Sequence, residues 1–316
     1  MTRVLVVGDD PHGMPIESYA EELRARLDAE VVVGRTTRRA REAARDATVL
    51  TGTTVDPSVL DAADDLQYFA CAFAGHDHLP MARLREAGVA VTNAAGVHAP
   101  NVGEHVVGTL LGFARGLFES QQRAADREWR AFQVGELQGS TVGVVGLGGL
   151  GTGVVDRLEP FGVETLGVRA NPDKGGPTDE VFGQADLDEV LARSEYLVLA
   201  CPLTEETEGL IGADELSTMR PDAVLVNVAR GPVVETDALV EAIQRNEIGG
   251  AALDVTDPEP LPHDHRLWTF SNVLITPHNA GHTPKYYARL SDIVAENVRR
   301  LEAGDVDEMK NLVVEP

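Results

Sequence analysis

Residues 141–158 read TVGVVGLGGLGTGVVDRL. The apolar run TVGVV leads into Gly146-Leu147-Gly148-Gly149-Leu150-Gly151, and the segment after it has helical spacing. Each glycine of a G-x-G-x-x-G turn in that position has a physical task. The first permits the tight turn, the second lets backbone approach a pyrophosphate, and the third lets the helix pack closely on the strand. The helix start adds N–H donors and the positive end of a dipole. Strand, glycine turn, helix and a further strand (VETLGV) in that order predict a dinucleotide-binding unit.

The end of that further strand carries the next piece of information. In such a unit an Asp or Glu about twenty residues on accepts hydrogen bonds from the adenosine ribose 2′-hydroxyl. The count arrives at Arg169, followed by Ala170, Asn171 and Pro172, with no acid between Gly167 and Pro172. A guanidinium there binds a 2′-phosphate that a carboxylate would repel. The expected cofactor is NADP(H), with NAD(H) still accepted because the glycine turn does not sense the 2′ position.

Outward from this unit, short apolar runs alternate with amphipathic stretches along the chain. RVLVV, EVVVG, ATVLT, LQYFACA and GVAVTN read as strands, with IESYAEELRARL and LPMARLREAG as helices among them. Beyond VETLGV, the runs EYLVLACP, AVLVNVA, GGAALDV and NVLITP read as strands, and DLDEVLARS, DELSTM and TDALVEAIQRN as helices. The alternation predicts an α/β protein of two Rossmann-like, doubly wound parallel-sheet domains with a cleft between them. From His98 to about Arg130 the spacing is helical throughout, which reads as one long linker or subunit-contact helix. KYYARLSDIVAENVRRLEAG reads as a last helix packing back on the first unit. The expected division is 1–97 plus 285–316, a flavodoxin-like domain, and 98–284, the dinucleotide-binding Rossmann domain.

Composition narrows the function classes. With 43% hydrophobic residues and 31 glycines dispersed along 316 residues, the chain is globular rather than disordered or collagenous. No run of eighteen apolar residues suits a membrane span, and MTRVLVVGDDPHG reads as a strand and turn, not a secretion signal. Cys71 and Cys201 lie in apolar surroundings, as buried thiols of a reducing cytoplasm do. The net charge of −24 would repel nucleic acid and anionic membranes. Only Lys174, Lys285 and Lys310 among the 27 basic residues are lysine, and the acids are scattered over helix faces such as ESYAEEL and DLDEVLAR. A dispersed acidic shell with so little lysine resembles proteins of halophilic organisms, where concentrated salt screens the self-repulsion.

Three further stretches end strands of the dinucleotide unit. VNVARG puts Arg230 just past one strand, ALDVTDPEP puts Asp254 at the end of the next with Glu259 five residues on, and ITPHNAG puts His278 past the last. Ligands of open parallel sheets bind beyond the carboxyl ends of the strands. An arginine fork suits a carboxylate, a histidine exchanges a proton with a hydroxyl or carbonyl oxygen, and a glutamate bonded to that histidine fixes its orientation. The H-x-H pairs His76/His78 and His263/His265 have no further ligands at metal spacing, so no metal is expected.

The order G-x-G-x-x-G, VNVARGPVVET, ALDVTDPEP and ITPHNAG strongly resembles the D-isomer-specific 2-hydroxyacid dehydrogenase family. FAGHDHLP resembles that family's substrate loop, and TNAAGVHAPNVGEHVVG its entry into the second domain. The resemblance implies NAD(P)-dependent interconversion of 2-keto acids and D-2-hydroxy acids by a homodimer, with the first domain binding substrate. It implies that Arg230 binds the substrate carboxylate, that His278 is the acid–base, and that Glu259 pairs with it. Phe73, Ala74 and Gly75 would complete the substrate site with Arg230 and His278. Gly146, Gly148, Gly149, Leu150, Gly151, Arg169, Ala170 and Asn171 would hold the pyrophosphate and adenosine ends of the cofactor. Cys201, Pro202 and Thr207 would border adenine and ribose. Ala229 and Asp254 would hold the nicotinamide carboxamide, and His278 and Gly281 would also touch the cofactor. Family members that use NAD carry Asp where Arg169 stands, and His76 replaces a small apolar or aromatic residue, which leaves the substrate side chain open. The leading expectation is a 2-keto acid reductase. A glyoxylate/hydroxypyruvate reductase or another specialised relative is the alternative, and a nucleotide-sensing binding protein is the non-enzyme one.

Overall fold

The computed structural model describes residues 2–8, 10–76 and 78–314. Asp9 in the first turn, Asp77 in the FAGHDHLP loop, and residues 1, 315 and 316 lie outside the described residues. The chain divides into two compact units, Met1–Val97 with His282–Pro316, and His98–Gly281.

The first unit begins β1 (Arg3–Val7), α1 (Ile16–Arg24), β2 (Glu30–Val33), α2 (Thr37–Ala44), β3 (Val49–Gly52), α3 (Pro57–Leu60), β4 (Tyr68–Cys71), α4 (Met81–Glu86) and β5 (Ala90–Thr92). These strands pair in parallel in the order β5-β4-β3-β1-β2. The two-residue period of β1 explains its wholly apolar run. Val4 and Val6 enter one core with Tyr19 and Leu23 of α1, while Leu5 and Val7 enter the other with Ala40 and Ala44 of α2. The helix α2 was not expected from TRRAREAA, since it buries only two alanines. Thr36 starts it by accepting a hydrogen bond from Arg39 N.

The second unit runs α5 (Ala99–Ala114), α6 (Leu117–Ala125), β6 (Thr141–Val145), α7 (Gly149–Leu158), β7 (Glu164–Val168), β8 (Glu180–Phe182), α8 (Leu187–Arg193), β9 (Tyr196–Leu199), α9 (Ala213–Thr218), β10 (Val224–Asn227), α10 (Thr236–Arg245), β11 (Gly250–Leu253) and β12 (Val273–Ile275). Its seven strands are all parallel, in the order β12-β11-β10-β9-β6-β7-β8. The order reverses at β6, whose carboxyl end carries the glycine turn. The single long helix expected over 98–130 is instead two. Gly116 takes a left-handed φ of +59°, and a Cβ there would lie 2.6 Å from the Phe132 ring, so the helix breaks between Ala114 and Leu117. No residue of α6 is buried, and Trp129 beyond it is fully exposed.

The chain then returns to the first unit with α11 (Tyr286–Ala303) and β13 (Leu312–Val314). There α11 packs on α1: Tyr287 stacks on Tyr19 with ring centroids 5.1 Å apart. The strand β13 pairs antiparallel with β5 and is the exception in an otherwise parallel sheet.

Candidate active site

The three glycines of the turn that leads from β6 into α7 divide their tasks. Gly146 sits at φ +99°, and a Cβ on it would lie 2.6 Å from the Cys201 backbone. A Cβ on Gly151 would come within 1.9 Å of the Gly146 carbonyl oxygen, so helix and strand pack at glycine distance only. A Cβ on Gly148 would meet nothing within 4 Å, which leaves open space on that side for a phosphate to meet backbone. The residues present therefore fit a dinucleotide. Gly149, Leu150 and Gly151 form the first turn of α7.

A cavity of ≈ 490 Å³ opens beside this turn, lined by Gly146, Gly148, Arg169, Ala170, Asn171, Cys201, Pro202 and Thr207. Arg169 stands directly past β7. Its backbone N–H donates to Phe182 O at 3.1 Å, and its guanidinium Nη1 donates to Gly175 O at 2.5 Å. That bond lays the side chain along the loop and leaves the rest of the fork for a ligand. The Asn171 side-chain oxygen accepts from Asp173 N at 3.1 Å, so its amide group remains a donor. Lys174 and Glu206 share the wall. The Thr204 hydroxyl beside Glu206 holds that carboxyl below its ordinary range, so two cations and one carboxylate face the same space.

The remaining predicted residues of this unit gather at the ends of three adjacent strands. At the end of β10, the buried Asn227 organises the backbone: its Oδ1 accepts from Ala229 N at 3.0 Å and its Nδ2 donates to Arg230 O at 3.0 Å. Arg230 is exposed, its Nη1 donates to Ala229 O at 2.6 Å, and among the described residues it has no carboxylate partner. Past β11, Asp254 is 5% exposed and its carboxylate ties down the segment after β12. Thr276 Oγ1 donates to it at 2.6 Å, Asn279 N at 3.0 Å and Ala280 N at 3.0 Å. His278 lies inside this tied segment at φ +50°, a conformation that non-glycine residues rarely adopt, and its own N–H donates to Asp254 O at 2.8 Å. Its Nδ1 meets Glu259 Oε1 at 2.6 Å. A carboxylate only accepts, so Nδ1 carries the proton and Nε2 is the nitrogen left to exchange one. Both side chains are about half exposed. Gly281 closes the unit, facing the His98 ring.

Ala229, Asp254, His278 and Gly281 do not line the ≈ 490 Å³ cavity. Phe73, Ala74 and Gly75 belong to the first unit, exposed just past β4. Asn227 and Thr276 escape sequence reading. The segment VNVARG contains Asn227, but nothing in its pattern tells a buried bridging amide from a surface one. Among the described residues no group of three His, Cys, Asp or Glu side chains is placed to hold a metal ion. Among the described residues no helix is long and apolar enough to cross a membrane.

Comparison with known proteins gives the context. Residues 107–280 match the family model described as D-isomer specific 2-hydroxyacid dehydrogenase, NAD binding domain. Glyoxylate reductase of Thermofilum pendens is 36% identical over 261 residues, 80% of this chain and 76% of that protein. The crystal structure of a D-isomer specific 2-hydroxyacid dehydrogenase from Xanthobacter autotrophicus Py2, in complex with NADPH and MES, superposes with a TM-score of 0.81. It is 27% identical, and the match covers 99% of this chain and 98% of that one. An NADPH-dependent glyoxylate/hydroxypyruvate reductase from Sinorhizobium meliloti gives a TM-score of 0.75 at 28% identity over 100% and 98% of the two chains. With the glycine turn, the strand-end residues and a family model over more than half its length, this chain belongs to the D-isomer specific 2-hydroxyacid dehydrogenases, a family of NAD(P)-dependent oxidoreductases.

Proposed function

We propose that this protein is a 2-keto acid reductase that prefers NADPH, with glyoxylate and hydroxypyruvate the first substrates to try. The 2.6 Å bond between His278 Nδ1 and Glu259 Oε1 carries the catalytic part of the reading. The bound cofactor supplies a hydride to the C2 carbonyl carbon. His278 then donates its Nε2 proton to the oxygen that becomes a hydroxyl, and Glu259 holds the ring and stabilises the imidazolium that precedes the transfer. Arg230, with its fork free of carboxylate partners among the described residues, orients the substrate carboxylate. Phe73, Ala74 and Gly75 are assigned to that carboxylate as well, on the likeness of FAGHDHLP to the family's loop. Asp254 keeps acceptor capacity after three hydrogen bonds, and with Ala229 it is assigned to the nicotinamide carboxamide.

Arg169 supports the NADPH preference, because the usual 2′-hydroxyl acceptor is missing and a guanidinium stands in its place. NADPH and NADH oxidation measured against a panel of 2-keto acids tests both parts. Turnover with none of them would end the reductase reading, and a preference for NADH would end the cofactor reading.

The assembly proposed is a homodimer working in a salt-rich cytoplasm. The fully exposed Trp129 and the unburied helix α6 are surface that a second copy would cover. A sedimentation mass of one chain would remove the dimer.

A further inference from the structure

The first unit ties down the loop after β4 by its carbonyl groups. The Tyr286 hydroxyl donates to Ala72 O. Ala94 N donates to Phe73 O at 3.1 Å, and Asn93 Nδ2 to Ala74 O at 2.7 Å. Asn93 is itself braced from the far end of the chain, since Asn311 Nδ2 donates to Asn93 O at 3.1 Å. The N–H groups of Ala74 and Gly75 are left without an acceptor among the described residues. Both residues are exposed, and a Cβ on Gly75 would meet open space. A loop with its carbonyls tied and its N–H groups left over has the polarity an anion needs.

Tyr286 is the least expected of these anchors. It is the first residue of α11, more than two hundred positions from the loop, and it is fully buried. Burial, more than any neighbouring charge, raises its pKa, so the hydroxyl remains a donor. The next residue supplies an internal standard. Tyr287 is 4% exposed, and its hydroxyl donates at 2.9 Å to Met14 O, which is not part of the loop.

We infer that Tyr286 is a positioning residue for substrate. Its buried hydroxyl sets the Ala72 carbonyl, and with it the orientation of the following peptides whose N–H groups receive the carboxylate of a 2-keto acid. The inference rests on the assignment of Phe73–Gly75 to the substrate.

The test compares Tyr286→Phe with Tyr287→Phe in the full-length enzyme, with glyoxylate as substrate and oxamate as a carboxylate-bearing competitor. Loss of one neutral hydrogen bond should raise the KM for glyoxylate about three- to tenfold in Tyr286→Phe. The oxamate dissociation constant should rise in parallel, with kcat and the NADPH dissociation constant changed by no more than about twofold. Tyr287→Phe removes a part-buried hydroxyl from the same helix, and should lower the melting temperature without moving the KM. An unchanged KM in Tyr286→Phe overturns the inference, and so does an equal rise in both variants. A wild-type enzyme that does not reduce glyoxylate would count against the proposed function instead. Oxamate binding to the NADPH complex of the two variants, read by calorimetry, would then still decide the role of Tyr286.

Discussion

His278 keeps Nε2 clear of its bond to Glu259, so substitution there should remove proton transfer and little else. His278→Ala should lower kcat by ~10²–10⁴-fold, with the NADPH dissociation constant almost unchanged. Unaltered turnover would show that another group gives the proton. The role proposed for Arg169 concerns binding alone. One charge-assisted hydrogen bond to a 2′-phosphate contributes ~1.5–3 kcal/mol, a preference of roughly ten- to a hundredfold. Arg169→Asp should reverse the ratio of kcat/KM for the two cofactors, mostly through KM, because the contact is the same in ground and transition states. A mutant that keeps its NADPH preference would return Arg169 to the solvated arginines of a strand end. Both residues could be named from sequence because they follow apolar strand runs at countable distances. Asn227 and Thr276 could not, since a bridging amide or hydroxyl leaves no periodic trace. Nor could Tyr286, whose phenol looks like any other aromatic on an amphipathic helix.

At the scale of elements, the glycine turn tolerates least. A Cβ on Gly151 would stand 1.9 Å from Gly146 O, closer than any real Cβ contact. Gly151→Ala should push α7 off β6, lower the melting temperature and abolish NADPH binding measured by fluorescence. An alanine variant with wild-type affinity would mean that the turn is not the pyrophosphate site. Elsewhere, strands read well because five- to eight-residue apolar runs coincide with β1, β6 and β9. Reading was poorer where one residue overrides a pattern. Helical spacing runs straight through 98–130, yet the left-handed Gly116 cuts it into α5 and α6. The helix α2 was invisible because two alanines make no apolar stripe, and β8 because three residues make no period.

For the molecule as a whole, charge dominates. Fifty-one acids face 27 basic residues. Arginine pairs offset part of this at the surface, as where Arg193 meets Glu164, Glu180 and Glu189 at 3.1, 2.6 and 3.2 Å. Exposed pairs of that kind contribute only ~0–1 kcal/mol each, so most of the repulsion is left to dissolved ions. The Debye length falls to ~3 Å at 1 M salt, and thermal unfolding followed from low to molar KCl should show a marked gain in melting temperature. Equal melting points at both ends would remove the case for a salt-adapted protein. The return of the chain to the first unit through α11 and β13 has a consequence for biosynthesis. Residues 98–281 form a contiguous unit that leaves the ribosome whole, whereas β5 waits with an unpaired edge until β13 has been translated. The nascent protein therefore passes through a stage in which its nucleotide-type half can be folded while the other half still exposes a sheet edge, the form most in need of a chaperone.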